Sequence, residues 1–77
     1  MRATLHGPNG LYIYGDIEVG GRVSLHDSSG GYYHGTMRND GSITFHGPNS
    51  GYYHGRVSSG SAAIHGPDGI YIHGRIE

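Results

Sequence analysis

The chain has 77 residues, a formal net charge of −1 and no cysteine, so it can form one small domain without disulfides or thiolate metal sites. Its five basic residues are dispersed arginines, which do not form the basic stripe expected of a protein that binds double-stranded nucleic acid. No apolar run approaches the roughly 20 residues of a membrane span, and residues 1–4 enter a repeat directly, which leaves no room for a signal peptide.

One motif recurs four times and organises the whole chain. The first histidines of successive copies are His6, His26, His46 and His65, which are 20, 20 and 19 residues apart. A turn-forming segment such as Gly-Pro-Asn-Gly follows each histidine, and a tyrosine-rich segment follows the turn. We therefore interpret residues 1–77 as a single domain of four repeats: 5–24, 25–44, 45–63, and 64–77 completed by 1–4.

Each repeat contains two segments in which apolar and polar residues alternate, the pattern of a β-strand with one buried face. The shorter segments are 2–6, 22–26, 42–46 and 61–65, and the longer ones are 11–19, 32–38, 52–58 and 70–77. In the first longer segment, Leu11, Ile13, Gly15, Ile17 and Val19 occupy the apolar face. The connections are too short for a parallel crossover, so the sequence predicts an all-β, eight-stranded antiparallel meander of four hairpins.

The register follows from keeping every apolar side chain on one face, because a slip of one residue would reverse the faces. The predicted pairs are Leu5 with Ile13, Ile17 with Val23, Leu25 with Tyr33, Met37 with Ile43, Phe45 with Tyr53, Val57 with Ala62, and Ile64 with Ile72. If the last strand pairs with the first, Glu77 faces Arg2 just as Glu18 faces Arg22. Following these pairings once around the sheet returns to the first strand at a position eight residues further along. This stagger is an allowed geometry for a closed barrel of eight strands.

These pairings predict a small closed pseudo-fourfold barrel. An open twisted sheet in a dimer and a β-solenoid are the alternatives. The barrel interior would hold three rings of side chains: Leu5, Leu25, Phe45 and Ile64; Ile13, Tyr33, Tyr53 and Ile72; and Ile17, Met37, Val57 and Ile76. Gly15, Gly35, Gly55 and Gly74 would also point inward, where they allow strands to bend sharply.

The repeat also carries a family resemblance. Asn9, Gly10, Tyr12, Gly15 and Ile17, followed by the Gly20–Gly21 pair, form a pattern that resembles the MORN repeat, a β-hairpin unit built on glycine, tyrosine and a large apolar residue. The likeness extends over all four copies. MORN arrays are scaffolds for protein and lipid contacts, so the resemblance implies binding or assembly rather than catalysis.

The polar face of the predicted sheet is rich in tyrosine and histidine. We interpret as candidate ligand-binding residues His6, Tyr12, Tyr14, His26, Tyr32, His34, His46, Tyr52, His54, His65, Tyr71 and His73. Such side chains offer flat faces together with hydrogen-bonding groups, which suits a sugar, a nucleotide or a protein, and repetition adds avidity. The same rings would also stabilise a sheet without any ligand, because cross-strand aromatic pairs contribute to sheet stability.

Two other functional interpretations remain open. His34 with His46, His54 with His65 and, if the barrel closes, His73 with His6 are predicted cross-strand neighbours. These pairs could bind Zn or Ni, or join copies of the chain into a metal-assembled homo-oligomer. A designed or reconstructed symmetric scaffold without a ligand is the other alternative. The sequence does not favour an enzyme: it has no cysteine, no lysine and no Ser-His-Asp spacing, and the counterparts of Asp16 are Thr36, Arg56 and Arg75.

Overall fold

A computed structural model describes residues 1–48 and 51–77. The strands are β1 (Arg2–His6), β2 (Tyr12–Ile17), β3 (Arg22–Asp27), β4 (Tyr32–Met37), β5 (Ser42–His46), β6 (Tyr52–Ser58), β7 (Ser61–His65) and β8 (Tyr71–Ile76). Each strand pairs with its neighbour in the chain, and β8 pairs with β1 to close the barrel. The predicted closed barrel is confirmed, so the open sheet and the solenoid are wrong. The turn predicted at Asn49 and Ser50 lies outside the described residues.

The register matches the prediction in every strand pair. At the seam, Ala3 lies opposite Ile76, and Arg2 and Glu77 exchange backbone hydrogen bonds of 2.6 and 2.8 Å. One circuit of the pairings advances eight residues along β1, which corresponds to strands tilted by about 36° from the barrel axis. The seam is therefore hydrogen-bonded like the other strand pairs.

The interior is filled by the predicted rings. Leu5, Leu25 and Phe45 are completely buried, and Tyr33 stands edge-on to Phe45 with ring centroids 6.0 Å apart. Val57 is the exception, because it is only half-buried. The alternating face thus forms a packed core, as expected for a barrel of eight strands whose interior is just wide enough for side chains.

Three of the longer strands, β2, β4 and β8, are shorter than predicted, whereas β6 spans Tyr52–Ser58 as predicted. We expected the strand containing Leu11 to extend to Val19 on the apolar face, but β2 ends at Ile17 and Val19 is 53% exposed. The reason is a turn in which the Gly21 amide donates to the Glu18 carbonyl at 2.9 Å while Gly20 adopts a φ of 71°. Glycine adopts this conformation readily, so the turn begins before Val19 can reach the interior.

The inward glycines allow adjacent strands to approach closely. A Cβ atom at Gly15, Gly35, Gly55 or Gly74 would meet a backbone carbonyl oxygen of the neighbouring strand, from Ser24, Thr44, Ala63 and Thr4 respectively. Any larger residue would push these strands apart. Within the described residues, no helix has the length and apolar character needed to cross a bilayer.

Candidate functional site

Each repeat places three aromatic side chains together on the outer wall. These trios are His6, Tyr12 and Tyr14; His26, Tyr32 and His34; His46, Tyr52 and His54; and His65, Tyr71 and His73. The first histidine and the tyrosine that follows are paired across two strands, with ring centroids 5.1–5.2 Å apart and ring planes inclined by 46–49° in all four repeats. Nearly the same geometry therefore occurs four times.

The trios join into a band around the barrel, which we call the Tyr/His belt. The His34 and His46 ring centroids are 6.3 Å apart and those of His54 and His65 are 6.1 Å apart, so nine rings from His26 to His73 form an unbroken series of contacts. The register also places His6 opposite His73 and Tyr14 opposite His26, which extends the belt around the remaining wall. The predicted register places His34 beside His46 and His54 beside His65, and the strand pairing confirms that these trios adjoin.

The belt is open to solvent because its side chains point away from the core. Its tyrosines are 37–48% exposed, and its histidines are exposed as well. All twelve candidate binding residues thus lie on one continuous outer surface. Tilted and stacked rings of this kind present π faces, phenol hydroxyls and imidazole nitrogens, which are groups that bind flat polar ligands.

Four candidate metal ligands form two pairs within the belt, His34 with His46 and His54 with His65. Closure of the barrel also brings His6 opposite His73, the third predicted pair. Within residues 1–48 and 51–77, no group of three His, Cys, Asp or Glu side chains converges on a point that could hold a metal ion. Each histidine pair therefore supplies at most half of a tetrahedral site.

A shallow trough lies over β7 and was not identified from the sequence. Arg56 on β6 and Arg75 on β8 flank it, Ser61 and Ala63 form its floor, and His73 links it to the belt. Arg56 is opposite Ala63, and Arg75 is opposite Ser61. The signal was present in the predicted register, which already places an arginine on each side of small residues.

Comparison with known proteins adds no relative. No protein-family model, no curated protein and no solved structure matches the chain. The resemblance to MORN repeats stays a prediction.

Asp27 is a second feature that the sequence did not reveal. It occupies the position of Gly7, Gly47 and Gly66 in the other repeats, just beyond the predicted strand of residues 22–26. Its side chain is only 9% exposed, and it accepts hydrogen bonds from the Tyr33 hydroxyl at 2.8 Å and from the amides of Ser29 and Gly31 at 2.9 and 2.7 Å.

These hydrogen bonds contribute to shifts in the pKa values of both Asp27 and Tyr33. The Tyr33 hydrogen bond is the largest cause that lowers the pKa of Asp27, and the Gly31 amide adds to it, whereas burial opposes both. Burial and the neighbouring Asp27 carboxylate raise the pKa of Tyr33. The Asp27 carboxylate already accepts hydrogen bonds from three donors of the fold. We therefore assign it a structural role rather than that of a free catalytic carboxylate.

Proposed function

We propose that the protein is a non-enzymatic binding module that takes the pyranose rings of a glycan on its Tyr/His belt. One observation carries this proposal: the His–Tyr pair recurs four times with centroid distances of 5.1–5.2 Å, each time on exposed side chains. The apolar C–H face of a pyranose packs against an aromatic ring, while its hydroxyls bond to phenol and imidazole groups.

The repetition favours a multivalent target. Four trios on one rigid barrel hold four ring-binding surfaces at fixed separations, so a target with several sugar termini gains effective concentration after the first contact. The net charge of −1 and the dispersed arginines argue against a duplex nucleic acid as the ligand. A free nucleotide and a protein surface are the competing ligands that the experiment below separates from a glycan.

Replacing Tyr12, Tyr32, Tyr52 and Tyr71 one at a time with alanine should remove one glycan site per substitution, because each belongs to a different trio. Isothermal titration with a monosaccharide selected on a glycan array should show the stoichiometry fall stepwise. The matched tyrosine-to-phenylalanine variants keep the rings and should retain the sites with weaker binding, since only a hydroxyl is lost. The exposed variant Thr36→Ala, outside the belt, is the control.

The belt proposal fails if the array shows no glycan binding, or if the fourfold alanine variant binds as well as the parent chain. Binding of a nucleotide or protein that is lost in the same variants would keep the belt as the site but replace the ligand. Urea midpoints measured beside the titrations show whether each variant is folded, and exposed strand substitutions should change stability by less than about 1 kcal/mol.

A second candidate function is metal-linked assembly, which the two histidine pairs favour. Each pair has two exposed imidazoles on adjacent strands, 6.1 and 6.3 Å apart between ring centroids. Two copies of the chain that present one pair each would give Zn or Ni the four nitrogen ligands of a closed site.

Light scattering with Zn or Ni tests the assembly. We expect the mass to rise from the 8.2 kDa of one chain to at least twice that value, and to return on chelation. His6→Ala, His34→Ala and His54→Ala together should prevent the rise, because the two pairs and the His6–His73 pair at the seam each lose one ligand. His26→Ala removes a belt histidine that lies opposite Tyr14 and Tyr32, and should not. A mass that is unaffected by either metal would contradict the assembly.

A further inference from the structure

The strand pairings define four corresponding stretches of the outer wall, centred on β1, β3, β5 and β7, each of which we call a trough. The residue after each inward glycine stands on the flanking strands, and these residues are Asp16, Thr36, Arg56 and Arg75. The trough over β1 lies between Arg75 and Asp16. The trough over β3 lies between Asp16 and Thr36, and the trough over β5 lies between Thr36 and Arg56. The trough over β7 is flanked by arginine on both sides.

The floor of the β7 trough is also different. Ala63 occupies the outward central position that Thr4, Ser24 and Thr44 occupy in the other repeats, so a hydroxyl-bearing side chain is replaced by a methyl group. Neighbouring strands lie about 4.8 Å apart, and Arg56 is offset by two residues along the strands from Arg75, so their Cα atoms stand roughly 12 Å apart across this low floor. Two long arginine side chains can reach a single small anion from both sides at that separation.

We infer that the β7 trough is a subsite for a tetrahedral anion, a sulfate or phosphate group carried by the ligand. Guanidinium groups present a planar fork of donors that matches the oxygens of such groups, and binding by two of them leaves most of the anion's oxygens hydrogen-bonded. Ser61 adds a hydroxyl donor on the floor. Glu77 also lines the trough, and its carboxylate opposes an anion there.

The subsite adjoins the belt. Tyr71 and His73 line the trough and also belong to the fourth trio, where their rings stack with centroids 5.8 Å apart. A sugar ring resting on Tyr71 would therefore place a sulfate or phosphate substituent within reach of the arginines. This assignment of the ligand rests on the proposed glycan function. It also makes that function more specific, because the fourth trio would then select an acidic glycan that is sulfated or phosphorylated.

Titration with inorganic sulfate and, separately, inorganic phosphate at low salt tests the subsite without any glycan. We expect saturable amide shifts in ¹H–¹⁵N spectra that concentrate on Ser61, Ala63 and Arg75, and that weaken as salt is added because exposed charges are screened. Arg56→Gln and Arg75→Gln should each weaken binding about tenfold or more, since each removes charge-assisted hydrogen bonds. Arg22→Gln, which removes an equal charge on β3, should weaken it less than about twofold.

Three further variants sharpen the test. Ala63→Thr restores the side chain of the β1 and β5 floors and should weaken binding without lowering stability, because threonine favours strands. Glu77→Gln should strengthen binding, because it removes the opposing carboxylate. Thr36→Arg combined with Thr44→Ala rebuilds the trough over β5 with Arg56 on its other side, and should raise the stoichiometry from one anion to two.

The inference is overturned if Arg22→Gln weakens binding as much as Arg56→Gln, since only net charge would then matter, or if the shifts spread over all four troughs. The two proposals fail separately. Anion binding at β7 with no glycan binding keeps the subsite and removes the glycan function. Equal binding of matched sulfated and unsulfated glycans keeps the belt and removes the subsite.

Discussion

Gly74→Ala should unfold the barrel, or lower its free energy of unfolding by about 3 kcal/mol or more. A Cβ atom at Gly74 would meet the Thr4 carbonyl oxygen and would lie 2.7 Å from the Leu5 Cα, both of them backbone atoms on the far side of the β1–β8 seam. Overpacking costs about 1–3 kcal/mol where side chains can yield, and more where they cannot. A domain of this length has a total stability of only about 4–12 kcal/mol.

The matched control is Gly10→Ala, which separates crowding from backbone strain. Gly10 has a φ of 76° in its turn, and an added Cβ would meet nothing within 4 Å. Its cost is therefore the conformational penalty alone, roughly 1–2 kcal/mol. With a urea dependence of about 1 kcal/mol per molar, the midpoint should fall by about 3 M or more in the Gly74 variant and by about 1–2 M in the control. Equal losses in the two variants would mean that β1 and β8 are not paired in solution.

The sequence was sufficient for the strands and their register, because alternation leaves only one pairing that buries every apolar side chain. Closure was predicted ahead of the open sheet and the solenoid, because pairing the last strand with the first repeats the relation of Glu18 to Arg22 in that of Glu77 to Arg2. In the structure, the Glu77 amide donates to the Arg2 carbonyl just as the Glu18 amide donates to the Arg22 carbonyl.

The remaining features depend on side-chain size and turn geometry rather than on alternation. The register predicts which trios adjoin, but the distances and inclinations of the rings within the belt depend on side-chain conformation. The β7 trough required the small size of Ala63 between two arginines. Asp27 follows the predicted strand of residues 22–26, where an acidic residue next to a turn is ordinary, whereas in the structure it is the last residue of β3. Only the inward direction of its carboxylate toward Tyr33 distinguishes it.

Asp27→Ala should destabilise the barrel by about 2–4 kcal/mol. Tyr33 is 3% exposed, so its hydroxyl would lose its acceptor inside the core, and the amides of Ser29 and Gly31 would lose theirs in the turn. A buried donor without a partner costs about 1–3 kcal/mol. Among the described residues, every buried side-chain nitrogen or oxygen atom has a hydrogen-bond partner, so this substitution would introduce an unpaired group where the fold otherwise has none.

Tyr33→Phe should cost less, about 1.5–3 kcal/mol, because it removes one hydrogen bond to a carboxylate that keeps two others. The double variant should lose less free energy of unfolding than the sum of the two single losses, since it contains no buried hydroxyl without a partner. Tyr52→Phe, on the exposed belt, should change stability by less than about 0.5 kcal/mol and serves as the control. Strict additivity in this cycle would contradict a direct Asp27–Tyr33 interaction.

The same pair should limit stability at both ends of the pH range. The pKa of Asp27 is lowered, chiefly by the Tyr33 hydrogen bond, so its contribution is present above the unfolded pKa of about 3.9 and is lost as the pH falls through the lower folded pKa. The pKa of Tyr33 is raised, chiefly by burial. Above about pH 10 the unfolded chain therefore ionises this phenol while the fold keeps it neutral, and stability falls as the pH rises.

Urea midpoints between pH 2 and 12 should therefore decline at both extremes in the parent chain, and both declines should be shallower in Tyr33→Phe. The pKa of the exposed Asp40 is also lowered, by hydrogen bonds from Ser42, but that carboxyl is present in both proteins and cancels in the comparison. Tyr33→Phe removes both the hydroxyl that lowers the pKa of Asp27 and the phenol whose own pKa is raised. The acid and alkaline declines in stability must therefore both change in this variant. A change confined to one decline would show that Asp27 and Tyr33 titrate independently.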